Sequence, residues 1–580
     1  MKYEKYLGAV ITCDPQLGKK EWNIAEQYAL VEEASKKGAK LIALPEMSTT
    51  GYCWYNRDEI APLVEPIPGP TTDKFGEIAK KYSCWIVVGM PEVDTATNVY
   101  YNAAVLIGPD GVVGVHRKTH NYVCEGRWAK QGNNDHLVYD TPIGKIGLLV
   151  CMDINIMETA RLEGIRGADV IVSISNWVED KTPAMTWFTR AYENGCYVMA
   201  ADRCGLERGT EFNGGSCIID PDGKLVCCAD EGPMIAYGEI DLRKAENKSF
   251  SEFGHKLKDR RPADYMDITL DPYLWDPILS HGLYGHDPLP EGRQSKIGVV
   301  QFMPETGNVA ANLSRVKEEA KRLSKEGCEL IVFPELTLTG YPKANAATVL
   351  ADTVPGSISD ELIDICLRYR VYMVVGMIEK ADGCLYNTAV LYSPEGILGR
   401  YRKMHLDQLD QDWATPSNMG LNYFNTYMGR VGILIGHDAD FPETARIHAL
   451  HGVDILCCPA AVSNPVPEKL AETKTWHKKV EPYGYSNTWW HLWRVRGGEN
   501  NCYVAFANAV GQLPDGRVCF GRSGVFQPMI WVYPRNEVVL GATEEDRAYI
   551  LADTTGDTRT KYLMPMRRTI WYDPLVMLDQ

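Results

Sequence analysis

Cys151 ends the apolar run GKIGLLVC, and two charged residues upstream, Glu46 in LIALPEM and Lys118 in VHRKTH, also stand where apolar runs stop. A cysteine can attack an electrophilic carbon, but an unperturbed pKa near ~8.5 leaves little thiolate at neutral pH. It needs a base, a positive charge to receive developing oxyanion density, and backbone donors beside it. Periodicity places Cys151 at the end of a buried strand, where the chain turns toward a helix containing Glu158. Amides of that turn, Met152 first, could point at a tetrahedral intermediate. Sites gather at such strand ends in layered α/β proteins. Singly, a strand-end cysteine is usually structural, a glutamate after proline usually a turn or cap, and a lysine after arginine usually surface charge. Their joint ordering sets them apart.

The chain is written twice. LIALPEMSTTGY (Leu41 to Tyr52) returns as LIVFPELTLTGY (Leu330 to Tyr341), 289 positions on. VGVHRKTH around Lys118 returns as LGRYRKMH around Lys403, and GKIGLLVCMD as GRVGILIGHD. Repeats this long mean two related domains rather than a solenoid. In this register Glu335 and Lys403 match Glu46 and Lys118, while Gly436 faces Cys151. One copy keeps a thiol and the other has lost it, which points to an enzyme and a catalytically silent relative. His437 aligns with Met152 and does not inherit the position of the thiol.

The elements that must position these residues alternate. In the first copy the pattern predicts strands at Leu7 to Thr12, Leu41 to Leu44, Trp85 to Gly89, Ala103 to Ile107, Val112 to Arg117, Ile146 to Cys151, Val170 to Ile174 and Tyr197 to Asp202. It predicts helices at Asn23 to Lys37, Thr72 to Tyr82, Glu158 to Gly164 and Pro183 to Asn194, with hairpin-like strands from Ser216 to Val226. This is an α/β layered domain. The expected division is residues 1–265 for the first domain, 266–293 for a linker and 294–580 for the second. Cys151 and Gly436 are 285 positions apart but Glu193 and Glu499 are 306 apart, so an insertion of about 21 residues separates Val462 from Arg496. It is aromatic, with Trp476, Tyr483, Tyr485, Trp489, Trp490 and Trp493. Either it covers the second pocket or borders the junction of the halves, or it packs as an extended helix.

A formal charge of −16 on 580 residues argues against nucleic acid or an anionic membrane as partner. No apolar run approaches the ~18 residues that span a bilayer. The N-terminal YLGAVITC reads as a first strand, so no signal peptide is expected. Seventeen cysteines are scattered without CxxC or a zinc-like Cys/His spacing. Buried reduced thiols in a cytoplasmic protein explain them.

PEMSTTGY with Glu46, HRKTH with Lys118 and GLLVCMDINIMETAR with Cys151 resemble the three signatures of the nitrilase superfamily of carbon–nitrogen hydrolases. NVYYNAAVLIGPDGVVG, RAYENGCYVMAADRCG and DRRPADY extend the likeness through the first half, and the second half shares it apart from its insertion. The resemblance implies two tandem αββα four-layer sandwiches and the pairing typical of the family. It implies Cys151 as nucleophile, Glu46 as general base, Lys118 as oxyanion stabiliser and Glu125 in CEGRW as a second glutamate that supports Lys118. Asp410 stands where Glu125 does. The implied reaction cleaves a small amide through a thioester, with no metal or organic cofactor. Tyr52, Trp54, His120, Tyr122, Trp128, Met152, Asn176 and Trp177 become candidates for lining the substrate pocket, with ordinary packing the competing explanation.

Cys-Met-Asp at the nucleophile resembles amidases and carbamoylases, whereas Cys-Trp-Glu marks true nitrilases. Asn155 and Ile156 replace the paired arginines of D-amino-acid carbamoylases. A linear amide or N-carbamoyl compound is the leading substrate class, a nitrile the second, and an inert two-domain binding scaffold the non-enzymatic alternative. The second half could be a built-in pairing partner, a regulatory ligand-binding domain or the site of a different, non-covalent chemistry. A further homo-oligomer is also open.

Overall fold

The computed structural model describes residues 4–133, 135–178, 182–229, 232–250, 253–269, 290, 292–463, 468–469, 485–486, 488–526, 528 and 548–555, with side chains left aside at 468–469, 485–486, 488–491, 520 and 548–555. In the first half, one six-stranded sheet runs in the order Met234–Asp241, Lys5–Thr12, Ala39–Ala43, Trp85–Asp94, Val99–Gly108, Gly111–Arg117. A second runs Leu225–Cys228, Cys217–Ile219, Tyr197–Asp202, Val170–Ser175, Gly144–Val150, Val138–Thr141.

The central strands are apolar throughout because both their faces are covered. Val10, Leu41, Val87 and Leu106 point at Leu148, Val172 and Val198 of the other sheet. Their neighbours Ile11, Ile42 and Val88 point outward onto Val31, Phe75 and Ile78 of the helices Lys20–Lys36 and Pro70–Tyr82. The outer face of the second sheet carries α1 (Met157–Ile165) and α2 (Met185–Asn194). The result is an αββα sandwich, the layered α/β class that the alternation predicts and the sandwich that the family resemblance implies.

The second half repeats the layers. Its sheets run Gly396–Arg402, Cys384–Ser393, Tyr372–Ala381, Leu330–Val332, Gln294–Gln301, Ala548–Thr555, and Tyr423–Thr426, Gly429–Ile433, Ile455–Ala460, Tyr503–Asn508, Gly524–Phe526. The helices α3 (Pro442–Leu450) and α4 (Thr488–Asn500) correspond to α1 and α2. Among the described residues no helix is long and apolar enough to cross a membrane.

Element boundaries move by a few residues from their sequence-based positions. The strand expected to include Cys151 ends at Val150, and Cys151 opens a 3₁₀ turn through Asn155. The strand Met234–Asp241 was not expected. It closes the first sheet by pairing antiparallel with Lys5–Thr12, from Lys5 opposite Asp241 to Thr12 opposite Met234. Its semi-exposed pattern has no clean period, and only the distant partner strand selects it. The structure also adds the local hairpin of Cys204–Glu207 with Thr210–Asn213, closed by the two-residue turn Arg208–Gly209.

The four helices meet across the junction of the halves. Arg161 on α1 bonds Glu443 on α3 at 2.8 Å, and Arg446 on α3 pairs with Glu158 on α1 at 3.0 Å. Met157, Leu162, Tyr265 and Ile268 of the first half are buried in the same apolar cluster as Val431, Ile455 and Val504 of the second. Ile268 belongs to the stretch expected as a linker, whose residues 270–289 lie outside the described set. Of the aromatic insertion, Trp476 and Tyr483 lie outside it, as do the side chains of Tyr485, Trp489 and Trp490. Trp493 is buried and stacks on Phe506 with centroids 4.2 Å apart.

Candidate active site

Glu46 follows strand Ala39–Ala43, whose extension Leu44 still bonds the next strand at Val87. Gly89 on that neighbour makes the approach possible, since a Cβ there would lie 2.3 Å from the Pro45 carbonyl and 2.7 Å from Glu46 Cα. Glu46 is thereby buried completely, away from solvent that would otherwise claim its charge. Lys118 follows Gly111–Arg117 and is held by its amide to the Asn102 carbonyl at 2.8 Å.

The charges converge. Lys118 Nζ donates to Glu46 Oε1 at 2.8 Å and to Glu125 Oε1 at 2.6 Å. Asn102 Nδ2 donates to the same two oxygens at 2.6 and 3.0 Å. Glu46 Oε2 accepts the Asn176 amide at 2.8 Å, and Glu125 Oε2 accepts the Tyr122 amide at 2.9 Å. A buried cation between two carboxylates persists only because nearly every lone pair is met. Burial opposes the charge on Lys118, but Glu125 and Glu46 hold its pKa well above the ordinary lysine value. Burial, reinforced by the charge of Glu46, pushes Glu125 up to about 7.

Cys151 sits at φ +47, a left-handed conformation that costs a residue with a Cβ roughly 1–2 kcal/mol. Asp153 holds it there. Its carboxylate accepts from Val150 N, Thr119 N, Thr119 Oγ1 and His120 N, and contacts His116 Nε2 at 2.9 Å and His120 Nδ1 at 3.0 Å. Burial opposes ionisation of Asp153, yet the two histidines hold its pKa well below the ordinary carboxylate value. Asp153 thus ties the cysteine turn to the segment just after Lys118. From the other side Arg190 donates to the carbonyls of Ile154 at 3.0 Å and Asn155 at 3.2 Å. Burial, and next the charge of Glu46, push the Cys151 thiol well above its ordinary pKa, partly offset by Lys118 and the Asn176 amide. The thiol therefore rests protonated.

Glu46, Lys118, Glu125 and Cys151 are thus brought together. Tyr52 carries Lys118 Nζ 5.9 Å from its ring centroid, and with Trp54 and Trp128 it forms one aromatic cluster. A cavity of ≈350 Å³ adjoins this cluster, lined by Tyr52, Trp54, Tyr122, Cys124, Arg127 and Arg208. Asn176 touches the charges through its amide, and its buried side-chain amide makes no hydrogen bond. Met152 accepts from Asn155 Nδ2 at 3.5 Å. Trp177 packs edge-on against Trp187 with centroids 5.3 Å apart, and its amide bonds Asp202. His120 directs Nδ1 to Asp153 and so braces the turn, while its buried Nε2 makes no hydrogen bond. Asn102, Asp153 and Arg190 were not singled out in the sequence. Their counterparts Asn387, Asp438 and Arg496 occupy the same register of the repeat, a signal that was available.

The second half builds the same frame around Gly436, at φ +46. Lys403 contacts Glu335 and Asp407 at 2.7 Å and Asp410 at 2.6 Å. Those three carboxylates have the spacing to hold a cation, but the ammonium of Lys403 occupies their centre.

The carbon-nitrogen hydrolase model matches the chain twice, at residues 9–248 and 296–553. A protein named nitrilase from Pyrococcus abyssi is 36% identical over 260 residues, covering 44% of this chain and 98% of its own length. Omega-amidase NIT2 of Bos taurus is 31% identical over 240 residues, 39% of this chain and 85% of its own. The crystal structure of Saccharomyces cerevisiae Nit3, a member of branch 10 of the nitrilase superfamily, aligns at TM-score 0.39 and 26% identity over 42% of this chain and 93% of that one. With both halves matched, the chain belongs to the carbon-nitrogen hydrolase family, the nitrilase superfamily, as a tandem of two such domains.

Proposed function

We propose that the first half is a cysteine-dependent amidohydrolase that cleaves a small linear amide or N-carbamoyl compound. The buried set of Glu46, Lys118, Glu125 and Cys151 carries this reading. Because the thiol rests protonated, its proton must leave as the Sγ–carbon bond forms, and Glu46 is the base beside it. The substrate oxygen gathers negative charge against Lys118 and a turn amide. Collapse returns the proton from Glu46 to the departing nitrogen, which leaves as ammonia or an amine with a thioester on Cys151. Water then loses a proton to Glu46, attacks the thioester and releases the acid, and the proton returns to sulfur.

Relatives named omega-amidase and nitrilase support both an amide and a nitrile as the substrate class. The Cys-Met-Asp sequence favours the amide. Gly436 cannot form a thioester, so the second half is assigned to pairing with the first rather than to this chemistry. All seventeen cysteines are free, which supports a reducing, cytoplasmic setting.

The test measures ammonia release over a panel of amides, N-carbamoyl compounds and nitriles, with intact-mass analysis of the stalled enzyme. An acyl adduct on Cys151 with amides is expected. Turnover of nitriles alone would replace the amide reading. No turnover, with Cys151 inert to small electrophiles, would favour a binding scaffold.

A further inference from the structure

The second half retains the frame of the first site and rebuilds its interior with acid. In the shared register Tyr122 becomes Asp407, Asn155 becomes Asp440, Met152 becomes His437 and Cys151 becomes Gly436. Two carboxylates thus enter where the first half has none. Glu335, Asp407, Asp410 and Asp440 face Lys403 and His437, and Arg517, whose guanidinium pairs with Asp515 at 2.8 Å, also lines the cavity. Burial works against a charged His437, but its 2.7 Å contact with Asp440 raises the imidazole pKa.

One oxygen is left over. In the first half Glu46 Oε2 accepts the Asn176 amide, whereas the corresponding Glu335 Oε2 is buried and accepts no hydrogen bond. A Cβ on Gly436 would lie 2.8 Å from it, so this oxygen is aimed into the space where the first half has its thiol. Burial, and then the neighbouring Asp407 and Asp410, push Glu335 up to about 8 against the charge of Lys403. A cavity of ≈60 Å³ lies here. Asp407, His437, Asp440 and Arg517 line its polar side, and Leu492 and Trp493 its apolar side. Tyr192 and Phe250 close it from the first half, with the Phe250 ring 4.9 Å from that of His437.

We infer that this cavity is a binding site for a short protonated primary amine, such as ammonium, methylammonium or ethylammonium. Its N–H groups would bond Glu335 Oε2 and Asp407, and its alkyl end would meet Leu492 and Trp493. At roughly 15 Å³ for each water-sized group, the volume admits about four heavy atoms. Glu335, Asp407 and Asp440 outnumber His437 and Arg517 on the lining, which disfavours carboxylates and phosphates. A divalent metal wants six or more oxygen ligands, and Lys403 already holds the centre of the carboxylate cluster. Aromatic walls beside acid are the setting that favours an alkylammonium. The site is distinct from the chemistry proposed for the first half and does not depend on it.

The experiment is calorimetric titration of the full chain with methylammonium chloride at fixed ionic strength. Potassium chloride and tetramethylammonium chloride serve as comparison salts. Saturable one-site binding of methylammonium is expected, at least tenfold tighter than potassium, with tetramethylammonium too large to enter. Asp407→Asn should weaken binding at least tenfold. Glu335→Gln, nearly isosteric, should do the same and stands in if Asp407→Asn does not fold. Absence of saturable binding would overturn the inference, as would equal affinity for potassium. Unchanged affinity in the folded variants would also overturn it, because the amine would then sit in the first half.

Discussion

Arg190 of the first half donates to Glu499 of the second at 2.6 Å, and Arg496 of the second donates to Glu193 of the first at 2.7 Å. The two contacts exchange when the halves are exchanged, the signature of an isologous surface. Each arginine also holds a turn carbonyl: Arg190 that of Ile154, and Arg496 that of Ala439 at 2.9 Å. The turn bearing Cys151 is therefore fastened to a junction that the second half completes.

Removing Glu499 should unsettle that turn. All four side chains are inaccessible to solvent, and stripping one partner from a buried pair costs about 3–5 kcal/mol. Glu499→Ala should lose stability of that order in urea unfolding and lower kcat. The first half alone, ended near Arg293, should aggregate or lose activity. A soluble, fully active truncation would remove the pairing role of the second half.

Replacing Cys151, the proposed nucleophile, separates chemistry from backbone strain. Cys151→Ala and Cys151→Gly should both lose several orders of magnitude in rate. Glycine adopts φ > 0 without penalty, so Cys151→Gly should be the more stable of the two by about 1 kcal/mol. Urea midpoints check the order. His437→Ala should leave turnover in the first half largely intact.

Glu46→Gln and Lys118→Ala should each lower the maximal rate by roughly 100-fold or more. If both act with one thiol, as proposed, the double variant should fall well short of the product of the single losses. Steady-state kinetics on the three proteins decides it. Near-normal kcat with raised KM would demote either residue to substrate binding.

Glu125 should set the acid limb of activity. Glu125 has its pKa raised to about 7, above the ordinary 4.5, by burial and then by Glu46. A proton therefore enters Glu125 as pH falls through about 7, weakening its 2.6 Å bond from Lys118, and kcat/KM should fall with it. Glu125→Gln removes this group, so the limb near pH 7 should disappear. For folding the sign is opposite to that of a depressed acid. The raised pKa costs no stability below pH 4.5, and the cost grows between pH 4.5 and 7 as the unfolded state ionises first. Stability against pH measured for wild type and Glu125→Gln reads this term.

The chain itself determined the tandem layout, the layered α/β class and the first members of the site. Those features reside in local pattern: apolar runs, residues at their ends, and a register shared by two copies. Glu46, Lys118 and Cys151 were legible because each marks a strand end, and Gly436 because the repeat sets it opposite a cysteine. Tertiary structure decided what depends on separation in space. Asn102 became the bridge between Glu46 and Glu125 only when its strand lay beside both. Only the fold showed that His120, a pocket candidate, also braces Asp153 through Nδ1. The Arg190–Glu499 contact spans 309 positions, and no local pattern pairs residues so far apart. Burial then set the proton states: the same carboxyl group is ordinary in water and holds its proton to about pH 7 inside the site.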